Sequence, residues 1–148
     1  MANPLTLLIP IKRGIDVVEL GATLLLARKK LAEALTSIGT VHYARIMILD
    51  RSSKNLRPDF TGPYVLAVIT DYDGSFEAYI GDFVAKVGDV FNALLVFVVG
   101  GQKLIPVQDN VAAFTAFIDK NDASQHFPNT SLYSAYPQTV QDVLAAFG

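Results

Sequence analysis

The chain has 148 residues, of which 51% are apolar and 18% charged, and it carries a net charge of −2 and no cysteine. The length predicts a single domain over residues 1–148, large enough to bury a core without disulfides. The low charge, with no basic run, argues against nucleic-acid binding, and the lack of cysteine excludes disulfides, thiolate catalysis and cysteine metal sites.

No segment has the length or composition of a membrane anchor. The longest apolar run, residues 93–99, is far shorter than the ~20 residues that a membrane helix needs. The N-terminal apolar run has no basic residue before it, unlike a signal peptide. We therefore expect a soluble, cytoplasmic protein that binds neither membranes nor nucleic acids.

The chain begins with a predicted strand and a long predicted helix. Residues 5–11 are apolar, and Pro10 belongs at the end or edge of that strand because it cannot donate to a ladder. Asp16 is placed as the N-cap of a helix that runs to about residue 38, with its apolar residues mostly at helical spacing. Gly39 suits the left-handed position that follows the last turn.

Two further strands are predicted over residues 41–49 and 64–70, which are rich in β-branched and aromatic residues. The polar residues 50–63 between them predict a loop. Both faces of 41–49 are largely apolar, so this strand is predicted to be central and covered on both sides. Alternation assigns its side chains to one face, His42, Ala44, Ile46 and Ile48, and to the other, Tyr43, Arg45, Met47 and Leu49.

The second half predicts four more helices and a last strand. Ser75 is placed to cap a helix, and Asp109 is placed to cap another. Residues 91–99 combine helical spacing with a β-branched end, and helix is favoured over strand. Residues 130–136 alternate enough for a last strand, and residues 139–147 predict a short terminal helix.

This order of elements predicts an α+β, ferredoxin-like fold of the split βαβ type. It has a four-stranded antiparallel sheet with helices on one face and extra C-terminal helices. The other face of the sheet would be apolar and uncovered in a charge-poor chain. We therefore expect a homodimer that shields this face and encloses a mostly apolar cavity, and a monomer in dilute solution would contradict it.

Four segments resemble an uncharacterised family of ferredoxin-like, dimeric α+β proteins. They are LTLLIPIK (5–12), GTVHYAR (39–45), DYDGSFEAYIGDF (71–83) and YSAYP (133–137). This family is similar to the dimeric α/β-barrel proteins, which include haem-degrading monooxygenases, dye-decolorising peroxidases and small stress proteins. The resemblance implies the same fold and a dimer. It also makes haem a candidate cofactor.

His42 and Arg45 are the two chemically able residues of the predicted central strand. His42 is either a general base, or a metal or haem ligand, or simply a buried histidine with one hydrogen-bond partner. Arg45 on a covered face needs an acceptor, and Asp71, Asp73 and Asp82 are the candidates. The hypothesis is that Arg45 pairs with an acid of residues 71–74, and the alternative is an arginine that binds a carboxylate or phosphate.

The other candidate residues lie in two short segments. Asp71 and Asp73 flank a turn, where they either bond their own backbone or contribute to a ligand site; a hard cation would need more oxygens. Tyr133 and Tyr136 fall on opposite sides of a strand or its end; either one lines a pocket while the other packs, or they are core tyrosines, which is the favoured interpretation. No phosphate-loop, nucleophile-elbow or metal-ligand spacing occurs, so no metal site is predicted.

Three functions are compatible with these patterns. The first is small-molecule binding or an ancillary role in a homodimer, with His42 or Arg45 setting the polarity of the cavity. The alternative is a haem-using or cofactor-independent oxygenase or peroxidase, with His42 and Arg45 as candidate catalytic residues, which a visible spectrum after haem addition would detect. The third is a purely structural interaction domain. The predicted ligand-binding residues are Arg45, Asp71, Asp73, Tyr133 and Tyr136.

Overall fold

Three strands and four α-helices form the part of the chain that the computed structural model describes, residues 1–50 and 64–148. The strands are β1 (Asn3–Pro10), β2 (Val41–Asp50) and β3 (Tyr64–Tyr72), and the helices are α1 (Val17–Ile38), α2 (Phe76–Leu95), α3 (Val111–Asn121) and α4 (Val140–Phe147). Short 3-10 turns occur at Gln102–Leu104, Val107–Asp109 and Ala123–Gln125. The predicted loop 50–63 lies, from residue 51 onward, outside the described residues.

The sheet has three strands in the order β1-β3-β2, and β3 is antiparallel to both neighbours. The prediction of a four-stranded sheet is therefore wrong, and so is the prediction that residues 41–49 form the central strand, because β2 is an edge. In the predicted fourth strand, residues 130–131 form a turn and residues 132–136 have no regular secondary structure. Ser131 has a φ of 68°, a left-handed conformation that an extended ladder does not tolerate.

Two short segments cover the edge of β1 where a fourth strand would pair. Near the end of β1, the Val99 N–H donates to the Pro10 carbonyl at 3.0 Å. Further back, Leu7 forms an isolated bridge with Asp122, and the Thr6 N–H donates to Asp122 Oδ1 at 2.9 Å. These contacts satisfy part of the β1 edge without a continuous strand.

The two faces of the sheet differ in what covers them. Helices α1, α2 and α3 contribute to a core against the inner face, which carries Leu5, Leu7, Ile9, Val41, Ala44, Ile46, Ile48, Leu66, Val68, Thr70 and Tyr72. Strand alternation and register place a different set on the outer face: Pro4, Thr6, Leu8, Pro10, Tyr43, Arg45, Met47, Leu49, Val65, Ala67, Ile69 and Asp71.

Local signals fix the helix ends. Asp16 accepts from the Val18 N–H at 2.8 Å and Gly39 has a φ of 69°, so both predicted caps of α1 are confirmed. Ser75 caps α2 through the Ala78 N–H at 3.2 Å. Helix α2 ends at Leu95. The helix predicted for residues 91–99 is therefore present only over residues 91–95, as the last part of α2. No helix of the described residues is both long and apolar enough to cross a bilayer.

Candidate functional site

A β-bulge sets the position of His42 at the start of β2. Val41 pairs with Tyr72 and the residue after His42 pairs with Asp71, which leaves His42 as the extra residue of the bulge. A bulge re-aims side chains, so the alternation that places His42 on the face of Ala44 does not hold at this point. The imidazole instead reaches the turn after β3 and the segment before α4.

His42 joins two of the other predicted residues in one hydrogen-bonded chain. Its Nε2 lies 2.9 Å from Asp73 Oδ1, and its Nδ1 lies 2.9 Å from Tyr136 Oη. The second carboxylate oxygen, Asp73 Oδ2, accepts from the Val140 N–H at 2.7 Å, where α4 begins. The structure therefore brings together β2, the turn after β3 and the segment before α4.

The chemistry of the partners fixes which nitrogen of His42 carries the proton. An ionised carboxylate only accepts, so the His42 Nε2–H donates to Asp73. In a neutral imidazole the other nitrogen is then an acceptor, and the Tyr136 hydroxyl donates to Nδ1. Both nitrogens are engaged, so an iron or other metal would bind His42 only by breaking one of these bonds. Within residues 1–50 and 64–148, no three His, Asp or Glu side chains are grouped to hold a metal ion.

A second group of polar side chains lies on the outer face of the sheet, where the negative charge of Asp71 acts on both Tyr43 and Tyr133. Burial, followed by that charge, raises the pKa of Tyr43 and raises the pKa of Tyr133 to about 12. The Tyr133 hydroxyl oxygen is enclosed and has no hydrogen-bond partner among the described residues. The charge of Asp71 therefore adds to the effect of burial on the pKa of Tyr133.

The predicted ion pair of Arg45 is not formed. Arg45 is exposed on β2, and it makes no ion pair with Asp71, Asp73 or Asp82 in the described part of the chain. Its positive charge instead lowers the pKa of the neighbouring Tyr43, against the larger effects that raise it. The reason is the sheet order: on an edge strand the guanidinium reaches water and needs no buried acceptor.

The raised pKa of Tyr133 predicts a loss of stability at high pH. The pKa of tyrosine is ordinarily 10.0, and the pKa of Tyr133 in the folded protein is about 12. The stability that this difference contributes is fully present below pH 10 and is lost as the pH rises towards 12. We expect Tyr133→Phe to change the unfolding free energy at pH 7 by no more than ~0.5 kcal/mol, because the lost hydroxyl has no partner. The variant should lose less stability than the parent between pH 9 and pH 11 in urea unfolding, and an equal loss would contradict this assignment.

An open groove of about 370 Å³ lies beside the His42 chain. His42, Tyr43 and Tyr136 stand on its wall, and most of the remaining wall is apolar: Leu35, Val41, Val140, Val143 and Leu144. A molecule with an apolar part could therefore lie in this groove with a polar group next to Tyr136.

A separate cavity of about 80 Å³ lies inside the core, between the inner face of the sheet and the helices. Its accessible wall is apolar. Thr70 and Tyr79 are among the residues around it, and their hydroxyl oxygens lie 2.8 Å apart in a hydrogen bond with each other. Burial raises the pKa of Tyr79, so this phenol stays protonated. The hydrogen bond between the two hydroxyls uses one of their two hydrogens.

The cavity shares part of its wall with a surface groove of about 450 Å³ between α1 and β2. The shared residues are Leu31, Leu35, Ala44 and Ile46. They face the core, yet Ala44 is exposed and the other three are only half-buried, because α1 does not close fully over the edge strand. The groove and the cavity therefore adjoin each other at these four side chains. Sequence reasoning missed this site, since apolar spacing marks core residues but not a gap between them.

Comparison with protein-family models gives no match for this chain, and neither curated proteins nor solved structures give one. The resemblance to a ferredoxin-like dimeric family therefore stays a prediction. The function must be argued from the two sites themselves.

Proposed function

We propose that this protein binds a small, neutral, mainly apolar molecule in the cavity between its sheet and helices. The observation that carries the proposal is an apolar cavity of about 80 Å³ that shares its wall with a surface groove. Pockets for small molecules are concave and predominantly apolar, and the wall of this cavity is apolar throughout.

The apolar wall supplies the free energy for binding. An apolar ligand in this cavity makes dispersion contacts with the surrounding side chains and gains from leaving water.

The wall of the cavity limits the chemistry of the ligand. No charged side chain lines it, so a charged group would be desolvated there without compensation. The Thr70 and Tyr79 hydroxyls bond each other and contribute no polar surface to the cavity, so a ligand finds no hydrogen-bond partner there. Small aromatic or short aliphatic hydrocarbons fit these limits.

A matched pair of variants tests this function, with toluene as the probe and chemical-shift changes of the cavity residues as the measurement. Ala44 lines both the cavity and the groove, so Ala44→Leu should fill space where the two adjoin and weaken toluene binding roughly tenfold, or ~1.4 kcal/mol. Ala32 lines only the groove, so Ala32→Leu should leave the affinity within about twofold. Absence of shifts at the cavity residues in the parent protein, or equal weakening in both variants, would contradict the proposal.

A homodimer across the outer face of the sheet stays a prediction. On that face Leu8 and Tyr43 are 37% and 48% exposed, whereas Val65 and Ala67 are buried. The alternative of a haem-using enzyme gains no support from His42, because both its nitrogens already have partners.

A further inference from the structure

The hydrogen-bonded chain of Asp73, His42 and Tyr136 ends at an accessible phenol. The side chains of His42 and Asp73 are 9% and 13% exposed, whereas Tyr136 is 54% exposed. A hydroxyl that donates to a histidine, itself oriented by a carboxylate, is the arrangement that activates oxygen nucleophiles. We propose that Tyr136 is a nucleophilic site that takes an acyl group from a carboxylic ester.

Two backbone contacts hold the base of this chain in place. The Val140 N–H donates to Asp73 Oδ2, and the Asp73 N–H donates to the Thr40 carbonyl, both at 2.7 Å. The other carboxylate oxygen, Oδ1, accepts from His42 Nε2 at 2.9 Å. Asp73 acts as a positioning residue, since it fixes the tautomer in which His42 Nδ1 is the acceptor.

The groove beside Tyr136 indicates the class of ester. Its wall is mostly aliphatic, and apart from His42 no charged or titratable side chain other than the two tyrosines lines it. An uncharged acyl group of a few carbons would bury apolar surface there while its carbonyl carbon lies next to Tyr136 Oη. A highly charged ester would lose hydration without gaining a partner.

The reaction conserves atoms and protons. Tyr136 Oη attacks the carbonyl carbon, and the phenolic proton passes to His42 Nδ1. The C–O bond to the leaving alcohol breaks, and the imidazolium returns the proton to that oxygen. The product is an O-acyl tyrosine. Water then attacks the acyl carbon with His42 as base, which releases the carboxylic acid and restores the phenol.

The experiment uses p-nitrophenyl butyrate with the full chain. We expect release of p-nitrophenolate and a butyryl group on Tyr136, located by mass spectrometry of proteolytic peptides. Tyr43 is the internal control, because it is 48% exposed but has no histidine partner among the described contacts. Acylation of Tyr136 should be at least about tenfold faster than that of Tyr43, a ratio that similar exposure alone would not give.

Asp73→Asn separates a chemical role from a structural one. The Val140 N–H requires an oxygen, so the amide nitrogen of the asparagine must face His42 and donate to Nε2. His42 then carries its proton on Nδ1 and no longer accepts from Tyr136, although every hydrogen bond can persist. We expect ¹⁵N shifts to report this change of tautomer and Tyr136 acylation to fall roughly tenfold or more.

Two results would overturn the proposal. One is acylation of Tyr43 and Tyr136 at similar rates in the parent protein. The other is an Asp73→Asn variant whose His42 changes tautomer while Tyr136 keeps its full rate. Tyr136→Phe should abolish the acyl adduct at this position and leave toluene binding in the core cavity unchanged, so failure here is distinct from failure of the proposed ligand binding.

Discussion

Phe114→Ala is expected to lower the free energy of unfolding by about 3–5 kcal/mol, the range for removing a buried phenylalanine from a core. Phe114 is 1% exposed, and its ring centroid lies 5.2 Å from that of Phe91. It also lines the core cavity, so its loss enlarges that cavity. Urea unfolding followed by far-UV circular dichroism measures the effect.

The matched control is Phe127→Ala, since Phe127 is 92% exposed. This change should alter the unfolding free energy by no more than ~0.5 kcal/mol. If Phe114→Ala cost as little as the control, α3 would not pack on the sheet as described. A loss of toluene binding in Phe114→Ala is not expected, because a larger cavity still admits the probe.

Asp122→Ala is expected to lower the free energy of unfolding by about 2–4 kcal/mol, because it leaves buried donors without an acceptor. Asp122 is 2% exposed, and its Oδ1 accepts from the Thr6 N–H at 2.9 Å, the Ser124 N–H at 3.0 Å and Ser124 Oγ at 2.7 Å. These bonds connect the edge of β1 to the turn after α3. Guanidinium unfolding gives the energy, and hydrogen exchange of the Thr6 amide reports the local effect.

Asp119→Ala is the control for Asp122→Ala. Asp119 is exposed, and the hydrogen bonds that it accepts go to its backbone carbonyl, which the substitution keeps. We expect a change of no more than ~0.5 kcal/mol for it. Equal effects in the two variants, or unchanged exchange at Thr6 in Asp122→Ala, would show that the Asp122 carboxylate does not fasten β1.

Features that depend on neighbours in sequence were predicted well. Asp16 and Gly39 mark the ends of α1 because a cap needs only the residues of its own first or last turn. The existence of β1, β2 and β3 follows from runs of apolar, β-branched residues. Residues 130–136 carry a weaker pattern of the same kind, and there turn geometry at Ser131 prevails over alternation.

Features of the site that depend on distant residues were predicted only as a set of candidates. His42, Asp73 and Tyr136 were singled out by their chemistry, but His42 and Tyr136 are 94 positions apart and no spacing rule connects them. The bulge at His42 interrupts the alternation, so the face expected for this side chain does not hold there. Arg45 was expected to be buried because β2 was expected to be central.

The sequence by itself determined an α+β chain, the ends of its first helix and the residue types available for chemistry, because these follow from local propensity and composition. Only the tertiary structure decided that β3 is central, that short segments replace a fourth strand, and where the cavity and the Tyr136–His42–Asp73 chain lie. The physical reason is that strand order, gaps between packed elements and hydrogen bonds between distant side chains depend on long-range packing, which a local pattern does not encode.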